Sequence, residues 1–108
     1  MRILIAEDDF ASRKFMLKFL TKYAEVDVTV DGQEAVNAFE LALEDGEPYD
    51  LVCLDVMMPN MDGLEALEAI RQIEAGSDAA KRARVIMTTA LNEVNQVDKA
   101  FQLGCEGY

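Results

Sequence analysis

The chain has 108 residues, which is enough for one compact domain and too few for a second. Apolar residues make up 51% of the sequence and charged residues 29%, a balance typical of a folded globular domain and not of a disordered one. The formal net charge is −11, from 21 acidic and 10 basic residues, and it repels nucleic acid phosphates and anionic membranes. We therefore expect no direct contact with nucleic acid and no membrane binding.

Cysteine and histidine content restrict the chemistry further. The two cysteines, Cys53 and Cys105, form no CxxC motif, so we predict buried free thiols in a reducing cytoplasm. No stretch is long and apolar enough for a membrane span or a signal peptide, which also favours a cytoplasmic location. Because the chain has no histidine, catalysis must rest on carboxylates and hydroxyls.

The first part of the chain predicts a strand, a helix and a second strand. Residues 3–6 form a short apolar run, as in a strand buried on both faces. A helix starting near Ala11 follows, with an apolar stripe and an opposite basic side. The stripe consists of Phe15, Met16, Phe19, Leu20 and Tyr23. The basic side consists of Arg13, Lys14, Lys18 and Lys22. Residues 26–30 then alternate like a strand.

The same alternation continues to the end of the chain. Asp31-Gly32 opens a second helix, which Gly46 and Pro48 end. Residues 51–54 form a third strand, and Asp62 with Glu65 predicts a capped third helix. A polar stretch, a strand over residues 85–89 and a last helix over Val94, Val97, Ala100 and Phe101 follow. This order predicts an α/β fold: a doubly wound parallel sheet that binds ligands at the carboxyl ends of its strands.

Polar residues follow three of the predicted strands. They are Glu7, Asp8 and Asp9 after the first strand, Asp55 after the third and Thr89 at the end of the fourth. Carboxylates that meet at one sheet edge repel by about 4 kcal/mol per pair at 4 Å and an effective dielectric near 20. A divalent cation relieves that repulsion, and hard oxygen ligands favour Mg²⁺, with Mn²⁺ as a substitute.

A metal-bound carboxylate can also act as a nucleophile toward a phosphoryl group, and a nearby hydroxyl can orient a phosphoryl oxygen. Asp55 and Thr89 fit these two roles. Each residue has a simpler interpretation when taken alone. The acids after the first strand are also what a solvated helix cap requires, Asp55 suits a strand-end turn, and threonine is common in strands.

Four segments together resemble the receiver domains of bacterial response regulators, of which the chemotaxis response regulator is the single-domain prototype. They are ILIAEDD at 3–9, LDVMMPNMDG at 54–63, MTTA at 87–90 and GCEGY at 104–108. The resemblance spans the whole chain, and the second segment is highly specific. It implies a flavodoxin-like topology and a phosphoacceptor domain of a two-component phosphorelay.

The resemblance also implies a role for individual residues. Asp55 is the phosphoacceptor, Asp8 and the backbone carbonyl of Met57 are metal ligands, and Glu7 reaches the metal directly or through water. The Thr89 hydroxyl moves toward the phosphoryl group, and Tyr108 turns inward as the signalling face rearranges. The implied partners are a sensor histidine kinase or phosphotransfer protein and a downstream effector protein or output domain.

The chain departs from the family pattern at its C-terminal end. Family members continue with a lysine that bonds the phosphoryl group, a proline and a final helix, whereas this sequence stops at Tyr108. Neither Lys81 nor Lys99 stands where that lysine would. We therefore expect a receiver domain over residues 1–108 that is incomplete at its C-terminus, either a natural fragment or an artificial truncation. The unpaired sheet edge predicts dimers or domain swapping.

We expect a switch that catalyses only its own phosphorylation and dephosphorylation, not an enzyme with a separate substrate. One alternative is a phosphatase with an aspartyl nucleophile, but such enzymes carry a second aspartate two residues on, where this chain has Met57. The other alternative is a binding module that keeps the fold and is not phosphorylated.

Overall fold

The computed structural model describes residues 1–76 and 82–88. Within these residues, strands and helices alternate. They are β1 (Arg2–Ala6), α1 (Phe10–Leu20), β2 (Glu25–Thr29), α2 (Gly32–Glu44), β3 (Leu51–Asp55), α3 (Gly63–Ala75) and β4 (Arg84–Thr88). The predicted order of elements is confirmed as far as Thr88. The second strand lies one residue earlier than predicted, and the third includes Asp55.

The strands form a parallel sheet in the order β2-β1-β3-β4. Each crossover connection contains a helix, as the right-handed linkage of parallel strands requires. Because the strands are parallel, the residues that follow β1 and β3 meet at the same edge of the sheet. The predicted doubly wound α/β fold with flavodoxin-like topology is therefore confirmed.

Helices cover both faces of the sheet. Alternate strand residues, including Leu4, Val52 and Val85, form the larger core with α2 and α3. The intervening residues Ile3, Ile5 and Cys53 form a second cluster on the face that α1 covers. Strands buried on both faces explain the continuous apolar runs in the sequence.

Helix α1 contacts the sheet through only part of the apolar stripe that the sequence predicted. Met16 and Leu20 pack against the second core cluster. Phe15, Phe19 and Tyr23 are 71%, 53% and 70% exposed. The predicted stripe was too wide, because Phe15 lies a quarter of a turn away from Met16 on the helix surface. A row of aromatic rings is thus left at the surface.

Aspartates begin all three described helices, because a carboxylate accepts the hydrogen bonds of main-chain N–H groups in the first turn. Asp9, Asp31 and Asp62 accept from the residue three positions further on. The capping box that Asp62 and Glu65 predicted is present. These caps fix where each helix begins and therefore the shape of the loop before it.

Several predictions concern residues outside 1–76 and 82–88. They are the place of Thr89, the helix over 94–101, Gly104, Cys105, Tyr108 and the association through the C-terminal edge. Cys53 is a free, buried thiol as predicted, and burial raises its pKa to about 11. Among the described helices, none combines the length and the apolar character that crossing a membrane requires.

Candidate functional site

Three carboxylates converge at the carboxyl edge of the sheet. Ala6 at the end of β1 pairs with Leu54 of β3, so the residues that follow, Glu7 and Asp55, are neighbours. Asp8 joins them, and one carboxylate oxygen from each of the three residues lies within 4.8 Å of the others. The strand register thus brings together the acids that the sequence assigned to a metal site.

Glu7 is the most deeply buried of the three, at 8% exposure. Burial and, to a smaller extent, the neighbouring Asp55 and Asp8 together raise its pKa to about 8. Its buried Oε2 atom has no hydrogen-bond partner among the described residues. A buried oxygen without a partner is costly unless a proton or a cation satisfies it. The three acids therefore fit a divalent cation, which prefers carboxylate oxygen.

Arg13 holds the loop between β1 and α1 in place. The sequence pattern placed it on the basic side of α1, and its side chain is partly buried in the structure. Its Nη1 atom donates to the main-chain oxygen of Glu7 at 2.9 Å and to that of Asp8 at 3.4 Å. Helical periodicity does not predict these bonds, because it does not show which basic side chain reaches back to the carbonyls of the preceding loop.

A cleft of about 760 Å³ opens beside Asp55. Glu7, Asp55 and Thr88 line its sheet side, and Phe15 and Met16 line the side formed by α1. The nucleophile that the sequence predicted is therefore reachable from solvent. Thr88 is a lining residue that the sequence interpretation missed, since it assigned the hydroxyl at this position only to Thr89. Thr88 pairs with Asp55 in the sheet register.

The main chain after Asp55 is tightly fixed. The amide of Met57 donates to Asp55 Oδ1 at 3.3 Å, and the amide of Val56 donates to the Thr88 oxygen at 3.0 Å. The Gly63 amide donates to the Val56 oxygen at 2.9 Å and closes the loop. This geometry places Met57 in the loop directly beside the carboxylate cluster. Ligation by its carbonyl stays a prediction.

The sequence therefore located the carboxylate cluster and the loop beside it. The structure brings Glu7, Asp8 and Asp55 together. The other two predicted site residues, Thr89 and Tyr108, lie outside the described residues.

Comparison with known proteins is consistent with this fold and this cluster. Residues 3–108 match the family described as "Response regulator receiver domain". The "Chemotaxis protein CheY" of Treponema pallidum (strain Nichols) is 35% identical over 109 residues, which cover 99% of this chain and 69% of that protein. The chain belongs to the response regulator receiver domain family, and so to the proteins of two-component signalling.

Two solved structures are similar to the chain as well. The receiver domain of the histidine kinase CKI1 from Arabidopsis thaliana, complexed with Mg²⁺ and BeF₃⁻, has a TM-score of 0.84 and 29% identity; the match covers 96% of this chain and 76% of that one. The CheX–CheY–BeF₃–Mg²⁺ complex from Borrelia burgdorferi has a TM-score of 0.78 and 30% identity, with 98% and 74% covered. Both structures hold Mg²⁺.

Proposed function

We propose that this receiver domain accepts a phosphoryl group on Asp55 while a divalent cation, Mg²⁺ in the cell, is bound at Glu7, Asp8, Asp55 and the carbonyl of Met57. The observation that carries the proposal is the convergence of three carboxylate oxygens within 4.8 Å beside an open cleft. Mn²⁺ would take the same oxygen ligands.

The transfer follows from the position of Asp55. One of its oxygens attacks phosphorus, the bond from phosphorus to the donor nitrogen breaks, and the donor imidazole leaves. The Met57 amide holds Oδ1 and so fixes the orientation of the nucleophile. When bound, the cation neutralises charge on the carboxylates and on the transferred group. Thr89 is proposed to bind a phosphoryl oxygen through its hydroxyl.

We propose a sensor histidine kinase or a phosphotransfer protein as the donor, and an effector protein or an output domain as the receiver of the signal. Tyr108 would turn inward in response to phosphorylation. The names of the similar structures favour these classes of partner, because one structure is a receiver domain of a histidine kinase and the other is a complex of CheY with the protein CheX. Helix α1 forms one wall of the cleft and offers an exposed aromatic row to a docking donor.

The proposed domain is a switch without turnover of a separate substrate. A phosphatase would need a second carboxylate two residues after the nucleophile as an acid and base, and Met57 has none. Steady release of phosphate from a phosphomonoester such as p-nitrophenyl phosphate would favour the phosphatase. A binding module that is not phosphorylated would be favoured by metal binding without any acyl phosphate.

Titration with Mg²⁺ by calorimetry, and with Mn²⁺ by electron paramagnetic resonance, tests the metal site. We expect Asp8→Asn to weaken binding at least about tenfold, since a lost charged ligand costs on the order of 1.4 kcal/mol or more. Asp45→Asn is the matched control: it makes the same change of charge at an exposed cap of α2 and should leave affinity unchanged. Equal affinity in wild type and Asp8→Asn would contradict the site.

A further inference from the structure

We propose that Asp31, which lies outside the carboxylate cluster, is a positioning residue for the metal site. Through Asn60 it fixes the loop between β3 and α3, residues 56–62, which carries the Met57 carbonyl. The inference rests on the proposed function, because it concerns how tightly that function's metal is bound.

The two oxygens of Asp31 have different partners. Oδ1 accepts from the Glu34 amide at 2.8 Å and caps α2. Oδ2 accepts from Asn60 Nδ2 at 2.8 Å, across 29 residues of sequence. Capping needs only one oxygen, so the second is available to bind the loop. Asp31 is 8% exposed, and hydrogen bonds to a buried carboxylate are stronger than those between neutral groups.

The main chain next to the bond between Asp31 and Asn60 is also closely packed against the loop. The Gly32 amide donates to the Met61 oxygen at 3.0 Å, and a Cβ atom on Gly32 would lie 2.2 Å from that oxygen. Asn60 has a φ of 66°, in the left-handed region. This conformation is strained for a residue other than glycine, and asparagine tolerates it better than most. The bridge from Asp31 offsets that strain and holds the loop in one conformation.

Hydrogen bonds therefore hold the loop of residues 56–62 both at its base and at its tip. At its base, Met57 bonds to Asp55 and Gly63 bonds to Val56. At its tip, Asn60 and the residue after it bond to the start of α2. A carbonyl held ready before the cation arrives binds without an ordering cost, whereas a loop with a free tip must be ordered on binding. Loss of the bridge should therefore appear as weaker metal binding.

Four variants separate positioning from capping. Asp31→Ser keeps a capping oxygen but does not reach Asn60, and Asn60→Gly keeps the left-handed backbone but loses the bridge. Asn60→Asp sets two carboxylates against each other. The exchange variant Asp31→Asn, Asn60→Asp restores one amide and one carboxylate with the original net charge. Glu40→Gly, at an exposed position of α2, is the control for a weakened helix.

Calorimetric Mg²⁺ titration and urea unfolding are measured on every variant. We expect Kd to rise about three- to tenfold in Asp31→Ser, Asn60→Gly and Asn60→Asp, a range that corresponds to the net contribution of one ordinary hydrogen bond. The exchange variant should recover to within about twofold of wild type, because the bridge is rebuilt. Glu40→Gly should lower stability and leave Kd unchanged.

An unchanged Kd for Mg²⁺ in Asn60→Gly and Asn60→Asp would overturn the positioning role. A loss of affinity in Asp31→Ser alone would also overturn it, because the effect would then belong to the capping of α2. If Asp31→Ser does not fold, the Asn60 variants and the exchange variant decide the question. Absence of Mg²⁺ binding by the wild-type chain would instead contradict the proposed function itself. Failure of the positioning role of Asp31 is thus distinguishable from failure of the proposed function.

Discussion

The main-chain oxygen of Asp55 has no room beside it for another side chain. A Cβ atom on Gly63 would lie 2.2 Å from that oxygen and 2.9 Å from the terminal methyl of Met87. We predict that Gly63→Ala lowers the free energy of unfolding by about 1–3 kcal/mol, because the oxygen and the loop must shift. The same shift moves the nucleophile, so Mg²⁺ affinity should fall too. Urea unfolding and calorimetry measure the two effects.

Gly76 is the matched control for that substitution. It ends α3 with a φ of −88°, and within residues 1–76 and 82–88 a Cβ atom there would come no closer than 3.7 Å to a neighbouring atom. Gly76→Ala should leave Mg²⁺ affinity unchanged and should be neutral or stabilising by up to about 1 kcal/mol, since alanine has less entropy to lose on folding. A Gly63→Ala variant as stable as Gly76→Ala would show that the loop adapts freely.

At the scale of single residues, the sequence predicted the acids of the cluster but not the hydrogen bonds that hold the neighbouring loop. Glu7, Asp8 and Asp55 were predictable because each follows an apolar strand, and parallel strands end at one edge. The bond from Asp31 to Asn60 was not, because it joins residues 29 positions apart and has no periodic signal. Side-chain contacts of this kind depend on the final packing of loops.

Of the three described helices, α1 exposes the most aromatic surface. Phe15 and Phe19 of α1, and Tyr23 in the turn that follows it, are largely exposed, and the ring centroids of Phe19 and Tyr23 are 5.9 Å apart. We predict that Phe19→Ala slows phosphoryl transfer from a histidine phosphotransfer protein about tenfold, since aromatic anchors at interfaces contribute at least about 1.4 kcal/mol. The rate with acetyl phosphate should not change, because Phe19 does not line the cleft at Asp55. Radiolabel transfer kinetics with both donors measure this.

Leu41→Ala is the control on α2. Leu41 is 59% exposed and belongs to a helix on the opposite face of the sheet. It should not affect transfer from either donor. Equal slowing by Phe19→Ala with the protein and the small donor would count against docking on α1.

At the scale of elements, the sequence predicted the order and type of the strands and helices better than which face of each helix contacts the sheet. Alternating apolar runs and helical periods identified every element up to Thr88, and Asp62 with Glu65 identified the start of α3. The apolar stripe predicted for α1 was too wide, because Met16 and Leu20 pack against the second core cluster whereas Phe15, Phe19 and Tyr23 are exposed. Periodicity alone does not then decide which of them contact the sheet.

For the whole molecule, acidic self-repulsion and metal binding are linked. The chain carries a net charge of −11, and three of its carboxylates lie in one cluster. We predict that Mg²⁺ at about one hundred times its Kd stabilises the folded state by about 2.7 kcal/mol, as for any ligand that binds only the folded chain. Thermal unfolding with Mg²⁺ and with NaCl at equal ionic strength separates specific binding from screening.

Asp8→Asn should stabilise the chain when no metal is present but should reduce the stabilisation that Mg²⁺ provides. Without metal it should raise the unfolding temperature, because one of the repelling charges is removed. With Mg²⁺ it should show little further stabilisation, because a ligand is missing. A variant that gains as much from Mg²⁺ as the wild type would show that the ion acts elsewhere on this acidic surface.

Intact-protein mass spectrometry after incubation with acetyl phosphate tests most directly whether Asp55 accepts a phosphoryl group with the help of a metal. We expect a mass gain of one phosphoryl group with Mg²⁺, its loss when EDTA is present, and its absence in Asp55→Asn. The control Asp45→Asn should gain the same mass as the wild type. An adduct that persists in Asp55→Asn, or a wild-type chain that gains no mass with Mg²⁺, would contradict the assignment.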